Sequence, residues 1–343
     1  MKQGKGFQLN FFNKFLLFFN GVFLLMAYSV YLNRFFAPSE IPYFNFISIG
    51  YPFIFLVACL FVGYWLIVSW RYALIVLVAS FGVLNIFTYS YPIGLFQKKS
   101  NAKPNLSVMS YNAHFIRDDG TDQFIAKNLA DIMMFQEAYE KNFKSIEKEL
   151  QSYYSEHYGL IAFFSKYPII ETKQINFPTQ NNKGTAAYAD IDTGKDTIRL
   201  VNIYMETMGV DKNLVKSTIE AENSAQVEEK TKKIENKLIA GMLMHEKQLK
   251  EIMPYITKSP YPVLVGCDLN ATPASYEYQQ LNAYLYDSFL QVGKGNATTF
   301  HGFRFPIRID YLFHSKEFIP IDGKIIRKKF SDHYPVIVQY QLP

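Results

Sequence analysis

The sequence predicts an α+β sandwich of two sheets with helices outside, preceded by about three transmembrane helices. Three observations carry this. Long uncharged apolar runs fill the first third of the chain. Short strand-like segments and a few helical stretches fill the rest. The charge balance changes where the two parts meet: Met1 to Gln97 hold five basic residues and one acidic residue, whereas the remainder holds 30 basic and 29 acidic.

Each apolar run is long enough, or nearly so, to cross the hydrocarbon layer, which takes about 20 residues. Leu16 to Leu32, Ile41 to Trp70 and Tyr72 to Gln97 carry no charge. The spans are placed at about 12–33, 44–69 and 72–95, within a membrane region covering residues 1–97. The second and third form a hairpin about Trp70 and Arg71. Lys2 and Lys5 resemble the start of a signal peptide, but the run is long and lacks a small-x-small cleavage site, so the first span is read as retained. Basic residues flank the spans almost evenly, which leaves the side occupied by the C-terminal part open.

A polar linker, residues 98–104, precedes a second region covering 105–343, large enough for one good core. Its strand-like segments are Leu106 to Tyr111, Asp131 to Phe135, Gly159 to Phe164, Ala186 to Ile191, Ile198 to Tyr204, Val263 to Val265, Arg308 to Phe313 and Val336 to Tyr340. Between them Lys212 to Ile256 is rich in Glu and Lys, with Ile234, Leu238, Leu243, Leu249, Ile252 and Ile256 at roughly helical spacing. It reads as a solvated amphipathic helix packed on a sheet, with a partner-binding helix as the sharper alternative. Nothing else points to a protein partner.

Composition excludes several classes. The chain is too apolar and aromatic to be disordered. Cys59 and Cys267, the only two cysteines, lie in unrelated surroundings, which excludes a disulfide scaffold. Near-neutral charge after Gln97 argues against gripping nucleic acid mainly by charge. The spans hold almost no ionisable residue, which argues against a transporter or channel.

The chemistry-bearing residues stand where apolar runs stop. Asn112 follows Leu106–Tyr111, and Glu137 follows Ile132–Gln136. Asp268 and Asn270 end the run from Val263, Asp310 lies in Arg308–Tyr311, and Asp332 and His333 precede Tyr334. Any one alone is usually a cap or turn residue. Together they offer carboxylates, two amides and one histidine. Carboxylate and amide oxygens suit a hard cation such as Mg²⁺ or Mn²⁺, and a histidine among carboxylates suits proton transfer. Cation and activated water together hydrolyse phosphoesters.

The blocks SYNAHF, DIMMFQEAY, GLIAFFSKYPI, VNIYMET, PVLVGCDLNATPASYEYQQL, TTFHGFRFPIRIDYLFHS and SDHYPV, in this order, resemble the endonuclease/exonuclease/phosphatase superfamily. The resemblance covers about Leu106 to Leu342 and is nearest to the bacterial branch with hydrophobic N-terminal spans. It implies a four-layer α/β/β/α sandwich of the DNase I type with the site at one edge of the sheets. It implies a divalent-metal-dependent phosphoesterase in a bacterial inner membrane. Glu137 would be the main metal ligand, with Asn112 beside it contacting metal or phosphate and Asp332 in support. Asp268 would orient or activate the attacking water, and Asn270 would hold a phosphate oxygen. His333, oriented by Asp310, would bind phosphate and move a proton.

Tyr204 departs from the pattern, standing where a histidine is usual. It can hydrogen-bond a phosphate or leaving oxygen, but with an ordinary pKa of about 10 it is no imidazole substitute. His114 reads equally as a cleft or a surface-loop residue, His301 as loop structure, and Cys267 as a buried small residue. Spans near the domain favour a phospholipid-like substrate. Nucleic acid and a non-catalytic membrane-bound binding module of the same fold are the alternatives.

Overall fold

The computed structural model describes residues 9–92, 102–180, 184–210, 212–221, 223–302 and 307–342. The expected linker therefore lies largely outside the described residues, as do the last residues of the expected third span.

The N-terminal third is helical. Helix α1 (Phe11–Tyr28) is capped by Asn10, whose side chain accepts from the Asn13 N–H at 2.8 Å, and runs on as a 3-10 turn to Arg34. Helices α2 (Tyr43–Ile49) and α3 (Tyr51–Val68) follow, then α4 (Trp70–Ala79) and α5 (Phe81–Phe87). Residues 11–34 and 51–68 are long and apolar enough to cross a membrane, and α4 with α5 makes a third span if the pair, bent by 49°, is counted as one.

Two of the expected continuous spans are thus interrupted. Between α2 and α3, Pro52 has no N–H to give the preceding turn, so the ladder stops at Gly50. Between α4 and α5 the cause is a side chain. The Tyr28 hydroxyl donates to the Ala79 carbonyl at 2.6 Å and accepts the Gly82 N–H at 3.0 Å, entering the helix ladder. Only glycine fits there: a Cβ on Gly82 would stand 2.3 Å from the Tyr28 ring.

Among the described residues of the remainder twelve strands follow: β1 (Leu106–Asn112), β2 (Ile132–Gln136), β3 (Tyr154–Tyr158), β4 (Ile161–Ser165), β5 (Ile169–Gln174), β6 (Thr185–Asp192), β7 (Thr197–Tyr204), β8 (Val263–Asp268), β9 (Tyr286–Asp287), β10 (Asp310–His314), β11 (Ile319–Ile325) and β12 (Val336–Gln341). They form two six-stranded sheets, ordered β11-β12-β1-β2-β4-β3 and β5-β6-β7-β8-β10-β9. All eight strand-like segments of the sequence are strands. The helices are α6 (Thr121–Ala126), α7 (Glu147–Leu150), α8 (Lys212–Ile219), α9 (Ser224–Thr257), α10 (Tyr276–Asn282) and α11 (Ser288–Val292). The charged stretch expected as one helix is two, because Asn223 caps α9 by accepting the Gln226 N–H.

Alternation along the strands separates three apolar layers. Val108, Ile132, Met134 and Phe163 of the first sheet meet Ala187, Leu200, Leu264 and Leu312 of the second. The other face of the first sheet, with Met109, Met133 and Phe135, packs on Phe124 of α6 and Leu150 of α7. The other face of the second sheet, with Val201, Val263 and Phe313, packs on Leu249 and Ile252 of α9 and Tyr278 of α10. Three such layers make a four-layer α/β/β/α sandwich. Each fully buried Leu, Ile, Val or Phe contributes about 1.5–3 kcal/mol.

The N-terminal helices do not hang from the sandwich on a tether. The Asn33 amide donates to the Ala274 carbonyl at 2.9 Å. Asn45 accepts the Tyr276 N–H at 2.7 Å and donates to Glu277 at 3.3 Å. Ser39 donates from its N–H and its hydroxyl to Glu246, at 2.9 and 3.0 Å. Arg308 donates to the Tyr89 carbonyl at 2.8 Å, and the Ala297 N–H to that of Ser90 at 2.8 Å. Ala274, at φ 71°, packs in one apolar cluster with Leu24, Ile54 and Ile86.

Candidate functional site

Strand directions gather the polar residues at one edge. β1 runs parallel to β2, and β7 parallel to β8, while β12 and β10 run against them. The C-terminal ends of β1, β2, β7 and β8 therefore share an edge with the N-terminal ends of β10 and β12. Asn112, Glu137, Tyr204, Asp268, Asp310 and His333 all stand there. In the second sheet, register places Tyr204 beside Asp268 and Asp268 beside Asp310, in a row across three strands. The segments that dock the N-terminal helices, after β8 and before β10, leave from the same edge.

His333 and Asp310 form a buried pair. His333 Nδ1 lies 2.9 and 3.0 Å from the two Asp310 oxygens, and Nε2 lies 3.9 Å from Asp268 Oδ2. With Nδ1 held by a carboxylate, Nε2 is the atom left to act. Burial opposes the imidazolium, but the Asp310 and Asp268 carboxylates override it and push His333 up to about 10. Burial and the neighbouring Asp310 push Asp268 up to about 7, against the opposing pull of His333.

The surroundings fix these groups. Asn112 donates to Asp268 Oδ2 at 2.9 Å, and the Asn270 N–H donates to Asp268 Oδ1 at 2.9 Å. The Thr299 hydroxyl accepts the Ile309 and Asp310 N–H groups, and the Ser331 hydroxyl accepts the His333 N–H while donating to the Asn112 carbonyl. Tyr204 donates to Glu137 at 2.7 Å. Burial, Glu137 and Asp268 push its phenol far above the ordinary range, so it is a donor at any working pH. Glu137 (φ 49°) and Asn270 (φ 47°) both sit in the left-handed region, a conformation that costs non-glycine residues of order 1–3 kcal/mol and concentrates at functional sites.

The donor set fits a hard cation. Asp268, Asp310 and His333 each offer an atom within 4.8 Å of the others. His333 and Asp310 already satisfy one another at 2.9 Å. Glu137 stands at the same edge, its carboxylate held by the Tyr204 hydroxyl at 2.7 Å. Carboxylate oxygens are the donors a hard divalent cation takes. Asn112 was expected beside the metal, but it uses both ends of its amide on the protein: its carbonyl accepts the His114 N–H at 3.1 Å, and its NH₂ holds Asp268. Asn270, expected at a phosphate oxygen, donates from its side chain to the Met205 carbonyl at 2.9 Å.

His114 lies on the rim, its ring 3.5 Å from Asp118 and partly exposed. It opens a run of three left-handed residues with Phe115 and Ile116, and the Phe115 N–H donates to the Glu137 carbonyl at 2.7 Å. His301 is structural, bonding the Ser331 carbonyl at 2.9 Å, and Cys267 is buried in β8. Sequence reasoning missed the groups behind the site. Gln136 donates to Asn202 at 2.7 Å, and Asn202 donates to the Phe135 and Ala162 carbonyls, bridging the sheets. Amides inside otherwise apolar strands were the available signal.

A family model described as Endonuclease/Exonuclease/phosphatase family matches residues 109–333, and a second, described as a domain of unknown function (DUF8431), matches residues 13–92. No curated protein matches the chain. Among solved structures, humanized D. rerio TDP2 is 18% identical, with a TM-score of 0.52 over 69% of this chain and 98% of that one. D. rerio TDP2 complexed with a single-strand DNA product is 17% identical, with a TM-score of 0.50 over 69% and 98%. An endonuclease/exonuclease/phosphatase from Beutenbergia cavernae is 16% identical, with a TM-score of 0.51 over 70% and 72%. At these identities the likeness to solved structures concerns the fold. The family match spans well over half of the chain, and with the site geometry it identifies the protein as a member of the endonuclease/exonuclease/phosphatase family, a metal-dependent hydrolase of phosphoester bonds.

Proposed function

We propose that the protein is a multi-pass phosphoesterase of a bacterial inner membrane, working with Mg²⁺ or Mn²⁺ on a lipid phosphoester. One observation carries the lipid reading. The apolar N-terminal helices dock on the edge of the sandwich where the site residues gather, through the segment after Asp268 and the segment before Asp310. With those helices in a bilayer, the site faces headgroups.

Glu137 is the principal ligand of the cation, supported by Asp332. When bound, the cation withdraws charge from the phosphate and favours ionised water. Asp268 takes a proton from the attacking water, a role suited to a carboxyl pushed towards neutrality. The water oxygen bonds to phosphorus as the bond to the leaving oxygen breaks. His333, held protonated by Asp310, binds the phosphate and gives the leaving oxygen its proton. Tyr204 orients Glu137 and Asn112 orients Asp268. Asn270 keeps one side-chain N–H for a phosphate oxygen.

The test uses the full chain in lipid nanodiscs with Mg²⁺, offered dispersed phospholipids and a single-stranded oligonucleotide. Release of a phosphorylated headgroup or of phosphate from lipid, at a kcat/KM above that for the oligonucleotide, is expected. The reverse order would establish a nuclease instead.

A further inference from the structure

We infer that four cations beside the catalytic edge, Lys294, Arg327, Lys328 and Lys329, seat that edge on anionic lipid headgroups. The inference rests on the bilayer placement of the N-terminal helices proposed above, and it is independent of which substrate is cleaved.

Their level follows from the third span. Its last helix, α5, ends at Phe87, and Tyr89 and Tyr91 come next, with the Tyr91 ring stacked on Phe87 at 4.8 Å. Tyrosines gather where hydrocarbon gives way to headgroups. The same residues meet the sandwich: the Gly295 N–H donates to the Pro92 carbonyl at 3.1 Å, and the Ala297 N–H to that of Ser90 at 2.8 Å. Lys294 therefore stands at headgroup level. The Arg327 guanidinium donates to the Asn296 and Thr298 carbonyls, which ties the turn after β11 to that segment. Lys328 and Lys329 belong to this turn, and Asp332 and His333 follow it.

The four are exposed, and none forms an ion pair among the described residues. Residues 293–302 and 323–331 contain no acid. Arg327 meets only carbonyls, a hydroxyl and the face of the Tyr334 ring, so its charge is left uncompensated. The acids where the helices dock are engaged inside the protein. Glu246 holds Ser39 and Lys250, Glu277 holds His245 and Asn45, and Asp287 holds Arg308. Glu40 folds back on the Ala37 N–H. The free charge on the third-span side is thus positive, and anionic headgroups are its natural complement. Basic clusters beside a spanning helix hold such lipids, each cation favouring contact by about fivefold.

Lysine acetylation tests this without any substitution. The full chain is placed in nanodiscs of phosphatidylcholine, or of phosphatidylcholine mixed with phosphatidylglycerol. It is treated with N-hydroxysuccinimidyl acetate, an uncharged reagent, and each lysine is followed by mass spectrometry. Lys294, Lys328 and Lys329 should react at least about threefold more slowly in the mixed discs, and high salt should remove the difference. Lys195 and Lys258, in the turns before β7 and β8 at the opposite edge, should react alike in both. Equal rates at Lys294, Lys328 and Lys329 in the two discs would overturn the inference, whether or not lipid is hydrolysed. Slowing in neutral discs by a single-stranded oligonucleotide, with none from phosphatidylglycerol, would overturn it in favour of nucleic acid. Slowing by phosphatidylglycerol in a protein that hydrolyses no lipid would uphold it and overturn the lipid substrate alone. A chain that does not enter nanodiscs would overturn the bilayer placement and this inference together.

Discussion

Replacing Asp310 by Asn leaves His333 in place and removes the nearest negative charge from its ring. Two carboxylates hold the imidazolium, Asp310 at 2.9 Å from Nδ1 and Asp268 at 3.9 Å from Nε2. At an effective dielectric of about 20, those separations correspond to attractions of about 6 and about 4 kcal/mol. Asp310 therefore carries the larger share, and it also carries the hydrogen bond. Its loss should lower the pKa of His333 by roughly two to four units, taking it from about 10 to between about 8 and about 6. At neutral pH between about a tenth and nine tenths of the general acid would then be uncharged, with Nδ1 facing an amide that no longer selects one tautomer. Turnover should fall by about 10²- to 10⁴-fold. The titration is read from the His333 ring signals by NMR in EDTA, and turnover from steady-state kinetics. An unmoved titration, or a rate within about threefold of the parent, would refute the pairing as the source of His333's charge.

Three further outcomes follow from other parts of the structure. Tyr204→Phe removes the hydrogen bond to Glu137 and should raise the Mg²⁺ concentration needed for half-maximal rate by about threefold to tenfold; an unchanged requirement would make the hydroxyl idle. Arg308→Met leaves Asp287 buried without its cation and should cost about 3–5 kcal/mol in chemical unfolding, whereas a loss below about 1 kcal/mol would show that the Tyr278 hydroxyl, which donates to Asp287 at 2.9 Å, suffices to hold it. In EDTA the protein should melt at lower temperature at pH 8 than at pH 5. Asp268 (about 7, against an ordinary 3.8) and His333 (about 10, against 6.5) are both raised by folding. The folded state therefore binds more protons, and stability falls as pH rises through those values. Mg²⁺ should narrow the gap by replacing the proton on the acidic cluster, and a melting temperature that rises from pH 5 to pH 8 in EDTA would contradict this.

The sequence announces its central strands because each is an apolar run that stops at a polar residue, and that stop is where the site lies. Val263 to Asp268 shows it best: five small or apolar positions, then the carboxylate. The edge strands are silent. In β5, Glu171, Lys173 and Gln174 face solvent, and β3 and β11 are for the most part only half-buried, so none has a run to notice. The breaks in the apolar helices depend partly on long-range contacts. Pro52 was readable as a local interruption, but the bend at Ser80 needs Tyr28, about 50 residues away in sequence. Docking was hidden for the same reason. Asn33, Asn45 and Ser48 look like incidental polar residues in a membrane segment, and their partners lie more than 200 residues on. The candidate residues were legible as a set, but their division of labour was not. Asn112 and Asp268 are joined only when two sheets close, and that contact makes Asn112 a group that holds Asp268.

The central claim is that Glu137 and the carboxylates beside it hold a divalent cation that drives phosphoester hydrolysis. It is tested most directly by bis-p-nitrophenyl phosphate turnover of the full chain and of Glu137→Gln, each with Mg²⁺, with Mn²⁺ and with EDTA. The account predicts turnover in the parent that EDTA abolishes and added metal restores, and a loss of about 10²-fold or more in Glu137→Gln with its melting temperature in EDTA kept. Full activity of Glu137→Gln, or turnover that EDTA leaves untouched, would contradict it.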